Sequence, residues 1–143
     1  MTDEEFESAI REAAKLHGHL GPFLVIGVRM GRIAKRIQMN DRENEKFLAQ
    51  VKVPLLTPFS CVLNGIQATT SCTFGNQKLR IENSKRKIAT SFTLDSAEAI
   101  SVSVKPEIIK KLMNELSEGT SNEELAREVA RMPEDLLFTV VKQ

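Results

Sequence analysis

The sequence predicts an α+β domain in which a mostly antiparallel sheet packs with helices. Three observations lead there. Helix-period apolar stripes and strand-like alternation both occur, they do not alternate regularly along the chain, and the strand-like segments in the middle follow one another directly. The 143 residues read as a single domain, 1–143, long enough to bury a core without disulfides.

Composition narrows the function classes. Hydrophobic residues make up 41% and charged residues 27%, values of an ordinary globular protein. The formal net charge of +1 gives no global electrostatic case for nucleic acid or an anionic membrane. No apolar run approaches the roughly 18 residues of a membrane helix. The acidic start (Asp3, Glu4, Glu5, Glu7) is unlike a secretion signal. Two cysteines form no disulfide framework, so reduced thiols and a cytoplasmic location are expected.

In chain order, Thr2-Asp3-Glu4-Glu5 reads as a helix start capped by Thr2 or Asp3. Phe6, Ile10, Ala13, Ala14 and Leu16 form the apolar stripe of that helix, and Gly18 ends it. A second helix is predicted from Pro22 to Gln38. Pro22 suits the first turn, Phe23 to Met30 make the helix largely buried, and Arg29, Arg32, Lys35 and Arg36 turn its last half basic. Gly27 and Gly31, four apart, let another backbone come close. After a polar link from Met39 to Lys46, Phe47 to Val53 reads as a strand ended by Pro54.

Thr57 to Thr70 reads as a third helix, with Pro58 in its first turn. Gly65 lies in its middle, where glycine costs about 1 kcal/mol against alanine. A poor helix former there points to a local requirement other than stability. Ser71 to Asn76 is turn-like, and Lys78 to Glu82 with Lys87 to Leu94 read as a hairpin around Asn83-Ser84. Ala97 to Val104 alternates as a further strand. Pro106 to Ser117 and Leu125 to Met132 read as helices, the latter behind the capping box Ser121-Asn122-Glu123-Glu124, and Leu136 to Val141 as a last strand.

The chemically able side chains are few. His17 and His19, the two histidines of the chain, flank Gly18 just before a buried helix, where free N–H groups and the helix dipole gather. Two turn histidines that merely cap or pack are an equal reading. Cys61 and Cys72 bracket the third helix. Two imidazoles and two thiolates suit zinc or another borderline-soft metal, although the spacing is not that of a zinc finger. Free cysteine is also among the most buried residue types. No nucleophile elbow, P-loop or GxGxxG stretch is present.

The ordered motifs carry a resemblance. His17-Gly18-His19-Leu20-Gly21-Pro22, followed by Gly27-Val28-Arg29-Met30-Gly31, is similar to the H-G-H-x-C-P-G…G-x-R-x-G signature of the family named for the E-type subunit of formylmethanofuran dehydrogenase. Cys61-Val62-Leu63-Asn64-Gly65-Ile66-Gln67 resembles its C-x-x-D-A-I-Q element, and Ser71-Cys72-Thr73-Phe74-Gly75-Asn76 its G-C-T-x-G-K/N segment. The resemblance covers roughly residues 10 to 95. It implies an α+β core domain that forms homodimers, with a cysteine- and histidine-lined cleft able to hold zinc. The cysteine-rich tail of many members is not expected here, since no cysteine follows Cys72.

Two positions depart from the family pattern. Gly21 stands where the family has cysteine, and Asn64 where it has an acid. The lost thiolate and carboxylate weaken the hold on a dication and remove a general base. The expected ligands are His17, His19, Cys61 and Cys72, with Asn64 and Gln67 beside the bound group. The expected ion is zinc or another divalent transition metal at low occupancy, with a link to one-carbon or redox metabolism and to partner enzyme subunits. Whether the chain is an enzyme stays open. The alternative is a non-catalytic accessory or small-ligand-binding homodimeric module. A nucleic-acid binder is the least favoured reading. Lys78, Arg80, Lys85, Arg86 and Lys87 form a basic patch, but the chain has no Trp or Tyr for base stacking.

Overall fold

The computed structural model describes residues 3–38, 47–94 and 98–142. Helices α1 (Asp3–His17) and α2 (Pro22–Gln38) come first, then strand β1 (Phe47–Val53). A 3₁₀ turn (Phe59–Cys61) leads into α3 (Val62–Thr70), followed by β2 (Leu79–Asn83), β3 (Ala89–Leu94) and β4 (Ala99–Val104). Helices α4 (Pro106–Ser117), α5 (Asn122–Arg131) and the short α6 (Glu134–Leu137) precede β5 (Phe138–Lys142). The expected α+β class holds. The sheet runs β2-β1-β3-β4-β5, with β1 and β2 parallel and the other pairs antiparallel.

Helix α2 is the centre of the molecule. Phe23, Val25, Ile26, Met30 and Ile33 join the main core with the inward residues of the sheet, among them Val51, Phe92, Ile100 and Val102. Leu24 and Val28 point the other way and bury Ala13 of α1. A helix apolar on several sides must be enclosed, and α1, α3 and α5 pack around this one. Its expected bounds, Pro22 to Gln38, agree with the structure.

The glycine faces expected to permit a close approach do so within the chain. A Cβ on Gly27 would fall on the Val62 carbonyl, 2.9 Å from its carbon, and one on Gly65 would lie 2.5 Å from the Val28 nitrogen. A Cβ on Gly31 would sit 2.9 Å from Cβ of Thr69. Gly65 is therefore the notch that seats α3 on α2. Because this face is filled by α3, it does not provide a surface for a second copy.

Several expected elements need correction. The hairpin between Lys78–Glu82 and Lys87–Leu94 does not form. β2 and β3 instead flank β1 on opposite sides, Val51 pairing with Ile81 on one edge and Thr90 on the other. Leu16 is 59% exposed and lies outside the α1 stripe. The third helix opens as a 3₁₀ turn at Phe59, and Leu136 belongs to α6, so the last strand starts at Phe138. Thr2 as a cap and the Met39–Lys46 link lie outside the described residues. Ser121 caps α5 as expected, its Oγ accepting the Glu124 N–H at 3.1 Å.

The basic half of α2 divides its work. Arg29 Nη1 donates to the Val129 carbonyl at 2.8 Å and to that of Met132, holding the carboxyl end of α5. Arg36 meets both Glu134 oxygens at 3.0 and 3.2 Å. Arg29→Met should lower stability by about 2 kcal/mol, since partly buried hydrogen bonds from a charged group would be lost. Arg36→Ala should change it by less than about 1 kcal/mol, because its ion pair is exposed. Urea midpoints of the two variants check this; equal shifts would contradict it.

Candidate functional site

The site forms where the end of α1, the turn into α2 and the middle of α3 meet. His17 is the last residue of α1. Gly18 turns the chain with φ of +105°, a conformation that favours glycine, and so brings His19 back over His17. The two ring centroids are 4.6 Å apart, with planes tilted by 40°. From α3, Asn64 and Gln67 lie one turn apart and face the pair. The Asn64 amide nitrogen is 2.6 Å from His17 Nδ1, and Gln67 Nε2 donates to Asn64 Oδ1 at 3.1 Å.

This chain of amides bears on the imidazole. With Asn64 donating, Nδ1 is the acceptor and the neutral ring carries its proton on Nε2. His17 Nε2 is buried and has no hydrogen-bond partner, an unusual state for a polar atom. Burial, and then the neighbouring His19, hold the His17 pKa below the usual histidine value. The ring is thus kept neutral, the form in which imidazole binds metals.

Gly21 borders the same place. A Cβ on it would lie 3.7 Å from His19 Nε2 and 3.4 Å from Asn122 Oδ1. A cysteine there would bring its sulfur to the edge of the imidazole pair. Asn122, the first residue of α5, was missed in the sequence because its only local signal was that of a helix start.

The cysteines have a different setting. Cys61 is buried at the 3₁₀ turn where α3 begins. Cys72 is buried after α3, its backbone N–H donating to Thr70 Oγ1 at 3.1 Å. Burial pushes both thiols up; Thr70, the Ala49 backbone and Lys78 partly offset this at Cys72. Asn76 fixes the loop beyond, accepting the N–H groups of Thr73 and Lys78 at 3.0 Å each. Among the described residues no three His, Cys, Asp or Glu side chains gather in a way that could hold a metal ion. The structure therefore brings together His17, His19, Asn64 and Gln67, and it does not add both thiols to them as one ligand cluster.

Both thiols should stay protonated at neutral pH. Iodoacetamide is expected to modify them far more slowly in the folded chain than in urea; equal rates would show that they are open and ionised.

The chain belongs to the FmdE family, described by the molybdenum formylmethanofuran dehydrogenase operon, whose pattern matches residues 16–139. The matched residues take in the HGH turn, the buried helix behind it and the α3 residues that face it. Over 67 residues the chain is also 31% identical to a protein of Archaeoglobus fulgidus described as a probable S-adenosyl-L-methionine-binding protein. That alignment covers 47% of this chain and 18% of the relative, so the chain spans about a fifth of that protein's length. No helix among the described residues is long and apolar enough to cross a membrane.

Proposed function

We propose that this chain is a weak metal-binding form of the family domain, in which His17 and His19 hold a divalent transition metal, with zinc the first candidate. The observation that carries this reading is the buried, unpartnered Nε2 of a neutral His17 beside the second imidazole. The donors fit in type, since imidazole suits zinc, nickel and copper. They fit poorly in number: catalytic zinc usually has three protein ligands. The expected result is low affinity with positions left for water or an exogenous ligand.

When bound, such an ion would act as a Lewis acid toward that ligand. The chain's own residues determine how readily it loads. Nε2 of His17 can ligate only if the ring's proton sits on Nδ1. That requires Asn64 to present its oxygen, with Gln67 rotating in step so that its own oxygen accepts from the Asn64 amide. An acid at position 64 would impose that tautomer without rearrangement. Cys61 and Cys72 remain proposed as additional ligands, reached only if α3 and its flanking loops shift.

Zinc titration of the metal-free chain, purified without an affinity tag, tests the reading. One weak site that is lost in both His17→Ala and His19→Ala is expected; binding that survives both variants would place the metal elsewhere.

The second reading is a non-catalytic ligand-binding module. The absent thiolate and carboxylate favour it, as does the description of the Archaeoglobus relative, which makes S-adenosyl-L-methionine the first compound to titrate. Homodimer formation, partner enzyme subunits and a role in one-carbon or redox metabolism rest on the family resemblance, a cytoplasmic location on the two reduced cysteines, and all remain part of this proposal.

A further inference from the structure

The two imidazoles lack a third ligand of the usual kind: among the described residues no other His, Cys, Asp or Glu joins them. A side chain of a different kind borders them. The point that a Cβ on Gly21 would occupy is 3.4 Å from Asn122 Oδ1 and 3.7 Å from His19 Nε2. Asn122 Cβ is farther from that point, at 3.9 Å. The residue therefore reaches into the space left by Gly21 with its oxygen foremost. The His19 ring centroid is in turn 4.6 Å from that of His17.

Capping does not account for Asn122. The hydroxyl of Ser121 takes the Glu124 N–H, and Asn122 is the first helical residue behind that cap. Its place is nevertheless well fixed. Leu125, Ala126 and Val129 bury one side of α5, and Arg29 of α2 holds the Val129 and Met132 carbonyls at its far end. Gly21 to Arg29 and Asn122 to Val129 span about 12 and 10 Å of helix rise. Helix α5 thus lies alongside α2 in the same direction, and its first residue is delivered to the imidazole pair.

We infer that Asn122 is the third protein ligand, its carboxamide oxygen standing where a cysteine at 21 would place its sulfur. The inference rests on metal binding by the histidine pair as proposed above. Asn122 and His19 are both exposed, so packing does not prevent either side chain from turning onto a shared ion. Two imidazoles and one oxygen make three ligands, the number typical of catalytic zinc, with a fourth position for water or an exogenous ligand. A carboxamide binds without first losing a proton, in contrast to a thiol. It is also a harder donor than thiolate, so this ligand set accepts cobalt or nickel as readily in type as zinc.

Calorimetric zinc titrations of the full chain, with nitrogen–proton spectra that include the side-chain amides, test the assignment. Asn122→Ala should weaken zinc binding at least roughly tenfold and Asn122→Asp strengthen it by a similar factor, since even outer partners of a metal site are worth about that much. The urea midpoint of Asn122→Ala should barely move, because the side chain is exposed. Zinc should shift the Asn122 side-chain amide signals, and cobalt should change its visible absorption between the wild type and Asn122→Ala. In a Gly21→Cys background, Asn122→Ala should cost no affinity, because the thiolate takes the same position. If His17→Ala and His19→Ala abolish binding while Asn122→Ala leaves it unchanged, or the Asn122 amide stays still at saturating zinc, the assignment is overturned and the histidine pair stands. Binding that survives both histidine variants overturns the histidine reading itself and this assignment with it.

Discussion

Gly65→Ala should destabilise the chain by at least about 3 kcal/mol, or prevent folding altogether. In an exposed helix the same change would add about 1 kcal/mol of stability through helix propensity. Here the new methyl group would come within 2.5 Å of the Val28 nitrogen and 2.8 Å of the Gly27 carbonyl carbon. Both are backbone atoms of a buried helix, which cannot rotate away as a side chain would. Overpacking of a tight core commonly costs about 1–3 kcal/mol and sometimes more, and backbone clashes belong at the upper end. A domain with only about 5–15 kcal/mol of net stability would lose much of it. Gly75→Ala is the matched control, since its nearest neighbour, Thr73 Oγ1, is 4.0 Å from the added carbon. Urea unfolding of both variants decides the point. An alanine at position 65 that leaves the midpoint unchanged would mean that α2 and α3 are not in backbone contact.

The second large effect concerns metal affinity. Gly21→Cys combined with Asn64→Asp should raise zinc affinity at least roughly 100-fold, outer carboxylate partners alone being worth about 10–100-fold. The two substitutions act through different atoms. A cysteine at 21 adds a soft thiolate on the His19 side. An aspartate at 64 accepts from His17 Nδ1, so the ring's lone pair is left on Nε2. The gain should grow with pH, because the thiol must lose its proton to bind. Calorimetric titrations of the wild type, both single variants and the double variant at two pH values separate these contributions. Equal affinities throughout would leave the small-ligand reading in first place.

How much of this was legible in the sequence differs between elements for physical reasons. Helix α2 was readable because Pro22 opens it, Phe23 to Met30 continue as an apolar run, and the basic residues gather toward its carboxyl end. Gly27 and Gly31 were readable as signs of close approach and Gly65 as a sign of some local requirement, but not as partners of one another. That is a contact between distant segments with no local signature. The β2–β3 hairpin was misread because Asn83-Ser84 looks like a turn between two adjacent strands. What overrides it is β1, whose Ala49, Val51 and Val53 are fully buried and whose two edges both take a partner. The histidine pair, Asn64 and Gln67 could be gathered from motif order. The cysteines entered the expected ligand set through their chemistry and the family motifs; burial, which no motif shows, raises both thiols above their ordinary pKa, and their ligand role belongs to the proposal. The place of Asn122 depends on how helices far apart in sequence lie together, and it leaves no motif.

The central claim is that His17 and His19 form one metal-capable pocket whose tautomer is governed by residue 64. Long-range nitrogen–proton NMR of the imidazole rings tests it most directly, because the chain contains only these two histidines. In the metal-free wild type, His17 should show an unprotonated Nδ1 and a protonated Nε2. Added zinc should convert it to the opposite tautomer, with Nε2 ligated, and should shift the His19 ring at the same time. Rings that are both unchanged at saturating zinc would contradict the claim.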